Sequence, residues 1–307
     1  RAGISVPSAR AHVLRRIDHP AVAPLLEYKE LARLHAAHGW AWLDQWVRGD
    51  RFRPVYVVGG VVSGRWASRG GAALQIPRVL RGCVTADDGW KLVVADAAQL
   101  EPRILAALSG DRRLAEVSRS EDLYSSLAAE LHPGAAEEHR PAAKIAMLSE
   151  MYGGTAGEAA ATLALLRRRF PDAVTYVEHA ATVGERGDAV RSRLGRTSPP
   201  PSEAWRELTG GDGAEDAARR AARDWGRFTR NFAVQASAAD WTAVLLATLR
   251  TRLPEPARLV FFVHDEVLVH TPAELADTVV TCLEESVAET TRLVFGAACP
   301  VRFPMPA

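Results

Sequence analysis

Two short segments, far apart in the chain, each place an aspartate at the end of an apolar run of β type: Lys91-Leu-Val-Val-Ala-Asp96 and Arg258-Leu-Val-Phe-Phe-Val-His-Asp265-Glu266-Val-Leu-Val. Between them, a segment with helical spacing carries Arg140, Lys144, Leu148 and Tyr152. Carboxylates held on rigid strands can share divalent cations, and a cationic helix facing them can hold a triphosphate. Together these are the equipment of nucleotidyl transfer. Each part also has a plainer reading. A strand-terminal aspartate often caps the next helix, and Ala97-Ala98-Gln99 after Asp96 leaves that role open. His264-Asp265-Glu266 fits a plain turn less well, because hairpin turns favour Asn-Gly or Asp-Gly and adjacent carboxylates repel unless a cation sits there. Arg140 and Lys144 lie four apart on one helix face, where like charges cost roughly 0.2–0.5 kcal/mol. Glu137 and Glu138 upstream allow a solvated, charged helix start, so phosphate binding follows only from combining this face with the two aspartates.

The elements that must position these residues can be read from periodicity. His19 to His35, with Val22, Leu25, Leu26, Leu31 and Leu34, reads as an amphipathic helix starting near Pro20 and packing against a lobe mostly absent from this chain. Arg53 to Val62 is a β-like run broken by glycines, followed by Ser63-Gly64-Arg65-Trp66 and a polar loop from Ala67 to Ala73. Gln99 to Leu108 has helical spacing, with Pro102 in its first turn and Gly110 closing it. Leu114 to about Arg230 is helix-rich, with turn signals at His132-Pro133-Gly134, Gly153-Gly154, Thr197 to Pro201 and Gly210 to Gly213. A separate long helix is expected over Asn231–Leu253, then a strand, a tight turn at His264-Asp265-Glu266, a second strand, and a last helix from about Leu275 to Phe295. Strands flanking a helical insertion make an α+β protein on a small sheet.

Composition narrows the field. With 307 residues, 48% hydrophobic and 24% charged, the chain can bury a large core divided into two or three lobes. A net charge of +1 gives little general attraction for polyanions, so any nucleic-acid surface must be local. No run of about 18 uncharged apolar residues and no signal-peptide pattern appears, so no membrane partner and a cytoplasmic location are expected. Cys83, Cys282 and Cys299 lack CxxC spacing and suggest neither disulfides nor zinc. The opening Arg1-Ala-Gly reads as mid-protein sequence, as in a C-terminal piece of a longer chain.

Asp96-Ala-Ala-Gln-Leu-Glu-Pro-Arg103 with Ile104 to Asp111 resembles the first polymerase motif of family A DNA polymerases, the DNA polymerase I class. Arg140-Pro-Ala-Ala-Lys144 with Tyr152-Gly153 resembles their second motif, and Phe262-Val-His-Asp-Glu-Val-Leu268 their third. Ser63-Gly64-Arg65 with Leu74-Gln75-Ile76-Pro77, and Asn231-Phe-Ala-Val-Gln235 with Ala238-Ala-Asp240, extend the likeness in the same order. The resemblance implies a right-hand fold with a small antiparallel palm sheet and a helical fingers insertion, the thumb mostly missing. Its parts would be a thumb base at 1–49, palm at 50–115 and 231–307, and fingers at 116–230.

The same resemblance implies function. Asp96 and Asp265, with Glu266 beside them, would hold two Mg2+ ions, with Mn2+ as the other candidate. Lys144 would be a catalytic acid for pyrophosphate, and Arg140, Lys144, Leu148, Tyr152, Gln99, Glu101 and Tyr124 would surround the incoming dNTP, with Glu101 blocking a ribose 2′-hydroxyl. Arg65, Arg227, Asn231, Gln235 and His264 would contact primer-template DNA, the protein acting as a monomer. Departures from the family pattern are Ala97-Ala98 for Tyr-Ser, Leu148 for an aromatic residue, Tyr124 for a histidine, Phe262 for a glutamine, and Pro141, which would move Arg140 to the helix start. Eroded nucleotide contacts around intact carboxylates resemble the divergent branch of bifunctional 3′-5′ exonuclease/DNA polymerases, whose nuclease would lie upstream of Arg1. Two rivals stay open: a degenerate fold that only binds primer-template DNA, and a single-subunit RNA polymerase, which Glu101 disfavours.

Overall fold

The computed structural model describes residues 5–69, 76–154, 157–210 and 215–307. Leu74 and Gln75, residues 70–73 of the polar loop, residues 211–213 of the expected glycine turn, and the Arg1 opening lie outside the described residues. The chain forms two compact units, Arg1–Val57 with Ser68–Thr85, and Val58–Ala67 with Ala86–Ala307.

The first unit holds α1 (Ala11–Leu14), α2 (Val22–His38), α3 (Trp40–Trp46), β1 (Val47–Arg48), β2 (Arg51–Phe52) and β3 (Tyr56–Val57); β4 (Ala67–Ser68) lies at the division in sequence, and α4 (Arg78–Arg81) follows. The helix expected from His19 instead begins at Val22, because Pro24 rather than Pro20 takes the first-turn position where a missing N–H costs nothing. No residue of α2 is buried, and Leu25, Tyr28 and Leu31 stand exposed. The β-like run from Arg53 to Val62 shrinks to Tyr56–Val57, since Gly59 turns the chain at positive φ. A hairpin missing from the sequence reading precedes it: Gly49 and Asp50, both at positive φ, join β1 to β2 in the manner of a mirror-image two-residue turn.

In the second unit β5 (Trp90–Asp96), β6 (Arg258–Val263) and β7 (Glu266–Pro272) form one antiparallel sheet in the order β5-β7-β6. Ala95, Val267 and Val269 are buried on one face, against which α13 (Ala276–Phe295) packs. This is the small antiparallel sheet and closing helix the sequence anticipates.

Helices fill the space between β5 and β6: α5 (Leu100–Ser109), α6 (Arg112–Val117), α7 (Leu123–Leu131), α8 (Ala136–Tyr152), α9 (Ala160–Arg169), α10 (Pro171–Glu185), α11 (Glu203–Gly210) and α12 (Glu215–Arg252). Asp111 caps two of them, accepting from the Leu114 N–H at 3.0 Å and from the Ala173 N–H at 3.3 Å. The helix expected to begin at Asn231 is instead one 38-residue helix running through the 230/231 boundary. By length and apolar composition α12 could cross a membrane, but 61% of the qualifying window is buried inside the fold. Its centre is the core of the unit, where Trp241 stacks on Phe303 at 5.1 Å.

Gly226, inside α12, serves close packing of α12 on α10. A Cβ there would lie 2.9 Å from the Ala181 carbonyl oxygen, and one on Gly184 would lie 1.9 Å from Thr229 Oγ1. Gly184→Ala must therefore push the two helices apart and is expected to cost about 1–3 kcal/mol. Gly82→Ala, whose methyl meets nothing within 4 Å, is expected to change stability by less than about 0.5 kcal/mol. Urea unfolding of the two variants checks the contrast.

Candidate active site

Asp96 closes β5 directly opposite Glu266 in the ladder, and the next residue, Ala97, donates its N–H to the Asp265 carbonyl at 3.1 Å. Only His264 and Asp265 separate the paired residues Val263 and Glu266, so the hairpin turn is two residues long. His264 takes φ 55°, the left-handed region that non-glycine residues occupy chiefly where surrounding structure holds them. The turn thus delivers Asp265 to the end of β5. Burial, then the neighbouring Asp96 charge, pushes the Asp265 carboxyl up to about 6, and burial raises Asp96 as well. Two mutually repelling carboxylates are hard oxygen donors suited to Mg2+ or Mn2+. Glu266, expected to share the metal, stands directly across the ladder from Asp96, and among the described residues no three acidic, His or Cys side chains converge on one point.

Glu101, in the first turn of α5, is the hub beside this pair. One carboxylate oxygen accepts from Arg65 and the other from the Tyr152 hydroxyl. Tyr152 is the last residue of α8, and burial followed by the Glu101 hydrogen bond raises its pKa; Gln235 of α12 bonds it from the other side. Arg65 also lies near His264, whose pKa falls first through burial and then through that cation.

Arg140 and Lys144 flank the buried Tyr124 ring, at 6.0 and 5.8 Å from its centroid. Glu101 acts on the same phenol, which burial first of all raises to about 12, so the cationic face joins the carboxylate hub through Tyr124. Pro141 does not set the start of α8, which begins at Ala136; Arg140 therefore sits inside the helix, contrary to the expectation that proline would place it at the start. Its Nε donates to Asp122 at 2.7 Å. Burial pushes Asp122 up, but hydrogen bonds from Arg140 and Ser125 outweigh it and hold the carboxyl at about 2. Lys144 is exposed and has no carboxylate partner among the described residues; Leu148, half-buried, follows one turn later. Gln99, expected at the nucleotide, instead uses its Oε1 to accept from Arg103 at 3.2 Å and from the Leu123 N–H at 3.1 Å.

Arg227, Asn231 and Gln235 recur at intervals of four along α12, one face of the helix. The aliphatic stem of Arg227 passes over Gly153, while its guanidinium pairs with Asp224. Asn231 Oδ1 is buried and has no hydrogen-bond partner among the described residues.

The model of DNA polymerase family A matches residues 3–304. The chain belongs to that family. Family A relatives include the thermostable DNA polymerase I of Thermus filiformis, 28% identical over 295 residues, covering 87% of this chain and 34% of the relative. The DNA polymerase I of Chloroflexus aurantiacus is 26% identical over 313 residues, covering 93% and 32%. The chain thus spans about a third of the length of the curated relatives it matches. Among solved structures, the POL domain of Pol1 from M. smegmatis, in complex with DNA primer-template and dNTP, superposes with a TM-score of 0.75 at 20% identity, covering 97% of this chain and 55% of that one. The α+β architecture is therefore a family A polymerase fold.

Two residues beside this cluster carry no role in the sequence analysis, Arg103 appearing there only as the end of the first motif. Asp122 opens the segment Asp122-Leu-Tyr-Ser125, an N-cap pattern that could have found it. Arg103 is fully buried on the apolar side of α5, and a lone arginine among Leu100, Ile104 and Leu105 was the available signal.

The raised Asp265 carboxyl carries a stability consequence in metal-free buffer. A folded pKa above the unfolded one means ionisation opposes folding, so the contribution is present below about pH 4 and lost as pH rises through about 6. Asp265→Asn is expected to gain up to about 2–3 kcal/mol over the parent at pH 8 and nothing at pH 4. Denaturant titrations at the two pH values check this.

Proposed function

We propose that this chain carries the polymerase site of a template-directed DNA polymerase, adding deoxynucleoside monophosphates to a primer 3′-end. The observation that carries the reading is the apposition of Asp96 and Asp265 beside the Arg65-Glu101-Tyr152 cluster. On this reading residues 50–115 and 231–307 act as palm, 116–230 as fingers and 1–49 as thumb base. Asp96 and Asp265 would hold two Mg2+ ions, or Mn2+, which when bound supply activation of the primer hydroxyl and neutralisation of the triphosphate. Glu266, on the Asp96 side of the sheet, supports the negative field.

The remaining chemistry belongs to side chains. Lys144, exposed and without an anionic partner among the described residues, is suited to neutralise phosphate oxygens and to hand a proton to departing pyrophosphate. Arg140 would join it by releasing Asp122, and both cations lie over the Tyr124 ring. Glu101, with both oxygens held, cannot swing aside and so excludes a 2′-hydroxyl, favouring dNTPs. Arg65, Arg227, Asn231, Gln235 and His264 would fix the register of primer-template DNA without reading sequence, Asn231 Oδ1 gaining its missing donor there. Gln99 is better suited to bracing α7 than to contacting nucleotide.

The binding-only reading draws support from Leu148 and from the Arg140–Asp122 pair, which leaves one helix cation engaged internally. Primer extension separates the two readings. Asp265→Ala is expected to abolish extension while primer-template binding in a gel shift stays within about twofold; a parent chain that shifts DNA but extends with neither Mg2+ nor Mn2+ would establish the binding module instead. Base stacking on an aromatic ring contributes about 1–3 kcal/mol. Leu148→Phe is therefore expected to lower the KM for dNTP by about tenfold or more with little change in kcat, and an unchanged KM would remove Leu148 from the nucleotide pocket.

A further inference from the structure

The polymerase reading leaves the most deeply buried charge of the unit unused. Arg103 has no exposed surface and, among the described residues, no carboxylate within hydrogen-bond reach, yet all three guanidinium nitrogens are engaged. Nε donates to the Ala98 carbonyl at 2.7 Å. One terminal nitrogen donates to the Ser118 carbonyl and, at 3.0 Å, to the Arg302 carbonyl. The other donates to Gln99 Oε1 at 3.2 Å and to the Ser120 and Glu121 carbonyls, each at 2.9 Å. Burial, then Arg302, lowers its pKa to about 10, so it stays charged near neutrality.

These acceptors come from three separate stretches: the link from Asp96 to α5, the loop entering α7, and the C-terminal segment. The link is also tied by the Ala98 N–H donating to the Pro304 carbonyl at 3.0 Å and by the Ala97 N–H donating to Asp265. Ala97 and Ala98 bring no polar side chain, so their backbone groups alone hold the residues that follow Asp96. Gln99, at φ 48°, is kept in the left-handed region between them and the helix.

We infer that Arg103 is a positioning residue: with the carbonyls of Arg302 and Pro304 it forms a clasp that fixes where the Asp96 carboxylate stands relative to Asp265. The inference rests on the reading of Asp96 as a metal carboxylate and goes beyond it by assigning the C-terminal segment to the construction of the site. A lysine cannot replace the guanidinium, because one ammonium nitrogen cannot reach acceptors spread around a planar fork.

Hydrogen exchange and Mn2+ titration of the unliganded chain test the clasp. In Arg103→Lys the amides of Ala97, Ala98 and Leu123 are expected to exchange at least tenfold faster, while those of the β6–β7 ladder keep their rates. Mn2+ affinity, read by electron paramagnetic resonance without any turnover, is expected to fall at least tenfold, and the Mg2+ concentration for half-maximal extension to rise in step. A chain ending at Phe303, which keeps the ring stacked on Trp241 but loses the Pro304 carbonyl, is expected to shift the same way and serves if Arg103→Lys fails to fold. Unchanged exchange at Ala97 and Ala98 in a folded variant, or faster exchange with unchanged Mn2+ affinity, overturns the proposal. A parent chain that binds no Mn2+ would count against the metal reading alone, and the exchange rates would then decide the clasp.

Discussion

Holding two like charges side by side at the end of a sheet is the constraint on which the rest of this unit depends. Left to themselves, Asp96 and Asp265 would separate, since each ionises less readily because of its surroundings. The backbone prevents this. The β5–β7 ladder sets the strand ends level, a two-residue turn with a left-handed histidine brings Asp265 round, and the bond from the Ala97 N–H to the Asp265 carbonyl closes the gap. Apart from a bond from its own backbone to the Asp265 carboxyl, these devices do not use the carboxylate groups, whose positions are decided by hydrogen bonds elsewhere.

The same separation of holding from acting recurs at Glu101. Its carboxylate links α5, the Arg65 segment and the end of α8, and through Tyr152 it reaches Gln235 on α12. Behind this cluster the buried Glu150 of α8 pairs with Arg167 of α9 and Arg230 of α12, while Glu178 of α10 pairs with the same Arg230. Breaking one member of such a buried group is costly because it strands the others. The helix that carries Arg140, Lys144 and Tyr152, α8, is therefore held against α12 by charge as well as by packing. A movement of α8 would have to carry the hub with it.

What the sequence made legible follows from where each interaction's partners lie. Asp96 and Asp265 could be read because continuous apolar runs of β type mark strands and an acidic residue ends them conspicuously. The continuity of α12 could not, because a glycine at 226 looks the same whether it ends a helix or lets a neighbour approach, and only the Ala181 carbonyl 2.9 Å from its missing Cβ tells the two apart. Pro141 misled for a related reason: the sequence shows the lost N–H but not the extra turn of helix, from Ala136, that precedes it. Gln99 was assigned to nucleotide although its amide braces α7. Arg103 was passed over because its partners are mostly main-chain carbonyls, which leave no trace in residue types.

The ion pair between Arg140 and Asp122 bears most directly on whether this cationic face can take a triphosphate. Both side chains are about 40% exposed, 41% and 39%, and a pair in that setting contributes only about 0–1 kcal/mol. Asp122 does not need the arginine for its other task, since it also accepts from the Tyr124 and Ser125 N–H groups at the start of α7 and from the Ser125 hydroxyl at 2.7 Å. Losing Arg140 would leave that carboxylate capped and hydrogen-bonded rather than stranded. A phosphate, with more charge and room for a two-pronged guanidinium contact, is the stronger partner. The pair therefore holds Arg140 beside Tyr124 and Lys144 at small energetic cost, and on the polymerase reading a phosphate would compete with Asp122 for its guanidinium.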